Sequence, residues 1–287
     1  MLRASIIILI TNISICYEIL SVPFTGIDLA LSGGGRSIER NKSYGSEYTS
    51  VLSDTSNVYG YTFVRYPASI NYLGIYALSS KRAYHIAMLD YGRLKDGLTE
   101  NTFGAFDFLI ETGKSSIAFN RFRVGYRLGL VFSNIASFYS SSIYSSFSAR
   151  TRIANDRLGM SGSINNISLL ISESESYGSD VPITGAFSLY YRPQYFSGLI
   201  ALDIKYFSDI EKFASVVTSQ VDLSKRVTVF MSLSSSKRDL HVGDVGMDFF
   251  AGTGLGIEYM FKKYAISIGI RNQGSSGIVS GLTVRSY

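Results

Sequence analysis

Few residues of this chain could carry catalysis. Its 287 residues include two histidines and a single cysteine, Cys16. His85 stands between Ala83 and Ala87, and His241 falls in the longest predicted loop, residues 236–249. A serine nucleophile needs a histidine beside it, and no Gly-x-Ser-x-Gly motif occurs in the sequence. The sequence therefore predicts that the protein is not an enzyme, and it offers no catalytic residue.

Ligand-binding motifs are equally scarce. The glycine-rich residues 32–36 are not followed by the Lys-Ser/Thr pair of a phosphate-binding loop, so we interpret them as a flexible segment before or inside the main domain. Gly252-x-Gly254-x-Gly256 lacks the spacing of a dinucleotide fingerprint and is better read as small residues in a strand. No His/Cys cluster suggests zinc, and the acidic residues 172–180 suggest a solvated loop. We expect no cofactor and no metal.

The composition indicates which kind of scaffold must position these residues. Hydrophobic residues make up 46% of the chain and charged residues only 17%, with a mean hydropathy of +0.17. That is too apolar for a disordered chain and unusual for a soluble domain. Beyond the N-terminal segment no apolar run reaches the ~20 residues of a transmembrane helix. The net charge of +5 is spread evenly, so we expect no nucleic-acid partner.

From residue 58 onward, apolar and polar residues alternate with a period of two. In residues 264–271 the isoleucines at 266, 268 and 270 share one face, and small or polar residues share the other. Residues 200–206, 227–235 and 254–261 repeat this pattern. Such alternation is typical of outer-membrane strands, whose apolar face meets lipid and whose small or polar face meets the lumen. We therefore predict an all-β fold, a transmembrane antiparallel up-and-down β-barrel.

Turn residues divide this region into fourteen strands. The predicted strands are 58–66, 70–78, 83–91, a pair within 102–135, 143–153, 158–171, 183–192, 196–206, 212–222, 227–235, 250–261, 264–271 and 277–287. The turn inside 102–135 is either Thr112-Gly113-Lys114 or Asn120-Arg121-Phe122. If the first strand runs outward, the inner turns are short, as in outer-membrane barrels. The outer loops are generally longer, and they include 92–101, 136–142, 172–182 and 236–249.

The N-terminus predicts export to the cell envelope. Arg3 precedes an apolar stretch, residues 4–15, of the length of a signal peptide, and a spanning anchor would need a longer apolar core. Cleavage after Cys16 would make residues 1–16 the signal peptide, although lipidation at Cys16 is an alternative. Residues 17–57 would then form a periplasmic or lumenal N-terminal segment. Residues 58–287 would form the barrel.

Charged residues within the strands are the remaining candidates for a functional role. A Lys or Arg facing lipid at the bilayer midplane would cost about 2–4 kcal/mol, so such charges should face the lumen. We favour structural pairing across a plugged interior, and a lined passage is the alternative. The predicted lumen-facing charges are Asp107, Arg127, Asp203, Lys205, Glu258 and Arg271.

Several short motifs resemble one family of barrels. Leu89-Asp-Tyr-Gly-Arg93 and Thr102-Phe-Gly-Ala-Phe-Asp107 are similar to the Tyr-Gly … Phe-x-Ala-x-Asp pattern of the PorV/PorQ-type proteins of the wider FadL-like outer-membrane group. Gly125 with Ile135-x-Ser137-x-Tyr139, Ala30-Leu-Ser-Gly-Gly34 and Gly254-x-Gly256-x-x-Tyr259 also resemble that family's motifs.

The chain also departs from the family's pattern. Tyr66-Pro67-Ala68 stands in place of Asn-Pro-Ala, and Ser133 stands in place of a lysine. The last strand ends in the aromatic Tyr287, and Arg285 is expected to interrupt the face that Tyr287 occupies.

The resemblance implies a fourteen-stranded barrel in the bacterial outer membrane that assists type IX protein secretion. Its partners would be the lipid bilayer of the outer membrane and secretion-system components or secreted cargo proteins. The alternative is the role of the FadL-like proteins, which admit hydrophobic small molecules through the barrel wall. A transporter should have an N-terminal plug in the lumen and an apolar pocket leading to a lateral gap. A secretion accessory should have rim loops shaped to bind protein.

Overall fold

The chain folds into a closed antiparallel barrel of fourteen strands, in which every strand pairs with its neighbours in sequence and β1 closes onto β14. The computed structural model describes residues 18–23, 25–35, 57–79, 82–95, 102–119, 122–153, 157–174, 181–208, 211–235 and 250–286. The predicted fold class is confirmed. The predicted signal peptide, residues 1–16, lies outside the described residues. Within the described residues no helix is long and apolar enough to cross a membrane.

The strands are β1 (Val58–Arg65), β2 (Asn71–Ser79), β3 (Arg82–Lys95), β4 (Thr102–Phe119), β5 (Phe122–Ile135), β6 (Phe138–Ile153), β7 (Leu158–Glu173), β8 (Thr184–Tyr191), β9 (Gly198–Phe207), β10 (Lys212–Asp222), β11 (Val227–Ser234), β12 (Thr253–Phe261), β13 (Tyr264–Asn272) and β14 (Ile278–Ser286). One short helix, α1 (Gly26–Ala30), precedes them. Short 3-10 turns lie at Glu18–Leu20, Pro67–Ser69 and Gly274–Ser276.

Alternating burial explains why these segments form the wall. On β13, Ile266, Ile268 and Ile270 are 42–50% exposed on the outer surface, whereas Ala265 and Ser267 are buried inside. A period of two places successive side chains on opposite faces of a strand. The wall therefore has an apolar outer surface and an inner surface of small or polar residues.

The boundary between β4 and β5 was one of two predicted positions. β4 continues through residues 112–114, and the connection to β5 falls at residues 120–121. The turn is therefore the one predicted at residues 120–122.

The predicted outer loop 136–142 is wrong, because β6 already begins at Phe138. Only residues 136–137 connect β5 to β6, and Ala136 adopts a positive φ of 56° in this tight turn. The serines that suggested a loop continue the ladder, with Ser140 opposite Ser133. Backbone hydrogen bonds hold a ladder together whatever the side chains, so a serine-rich stretch can remain in a sheet.

The strands differ in length around the wall. β3 to β7 have 14 to 18 residues, whereas β8 to β14 have 8 to 11. We call the end with residues 80–81, 120–121, 154–156, 192–197, 223–226 and 262–263 the turn end, and the opposite end the loop end. The turn end is the one predicted to face the periplasm.

Candidate functional site: a plugged lumen

The N-terminal segment lies inside the barrel. All five residues of α1 are buried, and the helix contacts β11 to β14 and β1. Thr25 caps the helix, because its hydroxyl oxygen accepts the Asp28 N–H at 3.1 Å. A helix of this length has no independent stability. Its position therefore depends on the wall.

The wall is bare of side chains where α1 rests. A Cβ built on Gly269 or on Gly254 would overlap the carbonyl oxygen of Gly26 or of Ala30, respectively. At Gly256 it would lie 2.5 Å from the Ala30 Cβ. Only glycine permits so close an approach of the helix backbone to the sheet. The glycine series that superficially suggested nucleotide binding is therefore part of the platform on which the plug lies.

Two carboxylates of the predicted set bind the backbone of the plug. Asp107 Oδ2 accepts the Ile19 N–H at 3.2 Å and the Tyr91 hydroxyl at 2.9 Å. Asp203 Oδ2 accepts the Gly35 N–H at 2.6 Å. Both carboxylates are fully buried. Because an irregular segment cannot satisfy its own backbone groups, these contacts fix its position in the lumen.

Hydroxyl groups of the wall complete the polar contacts. Thr283 Oγ1 accepts the Gly26 N–H at 3.0 Å, and Ser232 Oγ donates to the Ala30 carbonyl at 2.7 Å. Ser32 Oγ lies 2.8 Å from Ser232 Oγ. The plug is thus held from β4, β9, β11 and β14 at once.

Apolar side chains also pack around the plug. Ile27, Ala30 and Leu31 pack with Phe230 of β11. On the other side, Ile19, Leu20 and Leu29 belong to a larger buried cluster that lines β1 to β6 and includes Tyr72, Leu89, Leu109, Val131 and Tyr144. The inner surface of β1 to β6 therefore carries a buried apolar cluster beside the plug.

A buried polar network runs along the inner surface of the wall from β2 to β6. Glu111 on β4 lies 3.0 Å from His85 Nδ1 and 3.4 Å from Arg127 Nε, and it accepts the Tyr144 hydroxyl. The Tyr72 hydroxyl lies 3.0 Å from His85 Nε2. Both ring nitrogens of His85 are therefore engaged, which indicates a structural role for this histidine.

Sequence reasoning missed Glu111, although a signal for it exists. Glu111 and Asp107 are four residues apart on one strand, so the alternation that selected Asp107 also selects Glu111. His85 was considered only as a catalytic base. Ala83 and Ala87 both face inward, so His85, which lies between them at a spacing of two, also faces the lumen. His241 lies outside the described residues.

Arg285 corrects another expectation. Its side chain is 2% exposed and pairs with Glu258. On β14 the inward positions are 279, 281, 283 and 285, whereas Ile278 and Leu282 face outward. Arg285 therefore does not interrupt the outer face of the last strand. It faces inward, and burial of its charge is compensated by Glu258.

The six predicted charges do not form one site. Asp107 and Asp203 hold the plug, whereas Arg127 and Glu258 pair with Glu111 and Arg285, which were not predicted. The half-buried Lys205 lies beside Gly33, since a Cβ on that glycine would be 3.1 Å from the Lys205 Nζ. The half-buried Arg271 projects from β13, opposite Gly254. In the described ranges no group of His, Cys, Asp and Glu could hold a metal ion.

The fold of this barrel is similar to the folds of solved hydrocarbon channels. The structure of the CymD monoaromatic hydrocarbon channel matches with a TM-score of 0.60 at 10% identity, over 91% of this chain and 97% of that one. The toluene transporter TbuX of Ralstonia pickettii matches with a TM-score of 0.58 at 8% identity, over 91% and 96%. The toluene transporter TodX of Pseudomonas putida matches with a TM-score of 0.56 at 11% identity, over 92% and 96%.

At these identities the likeness shows the fold alone. No protein-family model and no curated protein sequence matches the chain. The protein is a closed fourteen-stranded β-barrel whose fold is similar to that of these hydrocarbon channels. The more specific resemblance to PorV/PorQ-type proteins remains a prediction from the sequence.

Proposed function

We propose that this protein is an outer-membrane channel for small hydrophobic molecules, with monoaromatic hydrocarbons as the first class to test. From the sequence alone, this function was the alternative to a role in protein secretion. The main observation in favour of a channel is the N-terminal segment in the lumen. Asp107, Asp203 and the glycines of β12 to β14 hold this segment in place. A lumen filled in this way opposes free flow of water and ions, and the buried cluster on β1 to β6 would present apolar side chains to an apolar solute that enters it.

The fold likeness supports the same proposal. Three structures that match this chain over nine-tenths of its length carry names that state toluene transport or a monoaromatic hydrocarbon channel. Apolar solutes gain free energy from contact with an apolar surface, at about 25 cal/mol per Å² buried. The cluster along β1 to β6, which is buried beside the plug, would offer such a surface to a solute that displaces the plug.

A role as an accessory of type IX secretion is the second candidate, and the sequence motifs carry it. Two residues of those motifs meet in the structure, because the Tyr91 hydroxyl donates to Asp107, which also accepts the Ile19 N–H. Their contact lies inside the lumen and holds the plug, whereas a secretion accessory would contact protein through its rim loops. The motif therefore supports the barrel architecture more than a contact with secreted protein.

Uptake and export measurements separate the two functions. We expect a deletion strain to lose uptake of radiolabelled toluene while it secretes proteins normally, and we expect the wild-type gene to restore uptake. Lost secretion with unchanged toluene uptake would show that the secretion role is correct.

A matched pair of substitutions tests the route within the same assay. Val131→Trp fills the apolar lumen, whereas Leu130→Trp places the same ring on the outer surface of the same strand. Uptake per folded barrel should fall for Val131→Trp and stay at the wild-type level for Leu130→Trp. Equal uptake by both variants would exclude passage along this apolar lining.

A further inference from the structure

A compact group of cations occupies two turns at the turn end of the barrel. Lys225 and Arg226 connect β10 to β11, and Lys262 and Lys263 connect β12 to β13. All four side chains are exposed. The two turns are neighbours, because the Arg226 carbonyl accepts the Met260 N–H at 2.8 Å. We call these four residues the basic turn patch.

Nearby acids do not compensate the basic turn patch. Asp222 accepts the Thr228 hydroxyl at 2.9 Å and the Gln220 amide at 3.2 Å. Glu258 faces the lumen and pairs with Arg285. In the described part of the chain, none of the four cations forms an ion pair. Four like charges thus stand together at the surface, where an external anion would relieve their repulsion.

One lysine of the patch has a left-handed backbone conformation. Lys262 has a φ of +49°, a left-handed conformation in which glycine or asparagine is more usual in tight hairpin turns. The Lys262 ammonium lies 5.4 Å from the centre of the Phe261 ring.

An apolar belt adjoins the patch on the outer surface. Tyr259, Phe261 and Tyr264 are 43–53% exposed, and Leu223 is 64% exposed. Aromatic side chains at the end of a transmembrane strand mark the membrane–water interface. The cations beyond this belt therefore lie at the depth of lipid headgroups. Other turns at the same end add the exposed cations Arg82, Arg157 and Arg192.

We infer that the basic turn patch binds anionic phospholipids in the leaflet at the turn end of the barrel. The headgroup phosphate, whose negative charge no choline cation offsets, would lie among Lys225, Arg226, Lys262 and Lys263. The acyl chains would lie along the apolar belt. A lipid supplies both the charge and the apolar chain that this surface matches, whereas a free phosphate supplies only the charge. A periplasmic protein bound to the cations would leave the adjacent apolar belt without a matching ligand group.

Native mass spectrometry of the detergent-solubilised full-length protein tests the inference. Phosphatidylglycerol and phosphatidylcholine of identical chain length are added in equal amounts. Wild-type protein should retain phosphatidylglycerol preferentially. The triple variant Lys225→Gln/Lys262→Gln/Lys263→Gln should lose at least on the order of tenfold of that preference, because each cation near an anionic lipid surface contributes about fivefold in affinity.

The matched control removes three exposed cations from the loop end. Arg93→Gln/Lys95→Gln/Lys212→Gln makes the same change in net charge and should keep the wild-type preference. The charge-conserving Lys262→Arg/Lys263→Arg should keep it as well. Heat-modifiable migration on gels establishes that every variant is a folded barrel.

Four outcomes would overturn the inference. The first is equal retention of both lipids by wild-type protein. The second is an equal loss of preference in the loop-end control. The third is displacement of phosphatidylglycerol by millimolar inorganic phosphate, which would show a site for the free anion. Capture of a protein by the patch, with no selectivity between the two lipids, would also contradict a lipid site.

Discussion

Charges inside the barrel wall depend on partners that neighbouring strands bring to them. Glu111 on β4 meets His85 from β3, Arg127 from β5 and Tyr144 from β6. A buried charge is costly unless it is paired and hydrogen-bonded. Each of these side chains therefore stabilises the others. Together they join four adjacent strands in addition to the backbone ladder.

Replacement of Glu111 should be strongly destabilising. Glu111→Gln leaves the Arg127 charge buried without this carboxylate, so we expect the free energy of unfolding to fall by about 3–5 kcal/mol. Urea unfolding in detergent, followed by tyrosine fluorescence because the chain has no tryptophan, measures the change.

Two further variants control that measurement. Glu211→Gln removes an exposed carboxylate and should change stability by less than about 0.5 kcal/mol. Glu111→Gln/Arg127→Gln should regain part of the loss, because the unpaired charge is gone. If Glu111→Gln and Glu211→Gln unfold at the same urea concentration, the network is not stabilising.

At the scale of elements, a helix of five residues is held by the strands beneath it. α1 lies directly on the backbone of β12 and β13, because Gly254, Gly256 and Gly269 have no side chains to keep it away. Glycine weakens a strand interior, since it packs no side chain and is conformationally free. Here the close approach of the helix compensates for that weakness.

A single methyl group on this platform should displace the plug. In Gly269→Ala the added Cβ overlaps the Gly26 carbonyl, so α1 must move. A disulfide between Ser32→Cys and Ser232→Cys reports the docked position, because the two hydroxyls lie 2.8 Å apart. We expect this disulfide to form readily with glycine at 269 and at least fivefold more slowly with alanine there, since few molecules would then hold the two cysteines together.

Gly185→Ala is the matched control for the platform, because a Cβ at that position meets no atom within 4 Å. Its cross-linking should equal that of the parent double-cysteine protein. The single-cysteine proteins account for any reaction of Cys16. Equal cross-linking in the Gly269→Ala background would mean that α1 does not rest on this platform.

For the whole molecule, the two ends of the barrel differ in their connections and charges. The described turns at one end are short and carry exposed lysines and arginines, whereas the longest connections, including residues 236–249, fall at the other end. Outer-membrane barrels have short periplasmic turns and longer outer loops. The turn end is therefore expected to face the periplasm.

Cysteine labelling on intact cells tests this orientation. A cysteine at Ser208, at the loop end, should react with a membrane-impermeant thiol reagent. Cysteines at Ser224 and Lys263, at the turn end, should react only after permeabilisation. The parent strain provides the background from Cys16. Equal labelling at all three positions would contradict the orientation.

The strands could be predicted from the sequence because their signal is local. A wall with lipid outside and small or polar groups inside forces a period of two, and that period is visible along each segment. Strand number, most boundaries and the inward face of β13 follow from it. Segments such as residues 138–142 were misassigned, because serines suit a loop and also the inner face of a wall.

The partners of the inward residues required the tertiary structure. Asp107 meets Ile19 across 88 positions of sequence, and Asp203 meets Gly35 across 168. Closure of the barrel and the docking of the plug decide such contacts, and neither leaves a period in the sequence. Composition and alternation by themselves therefore determined an apolar-walled barrel with charges inside. Only the folded chain decided that two of those charges bind the backbone of the N-terminal plug, because that depends on which distant segment fills the enclosed space.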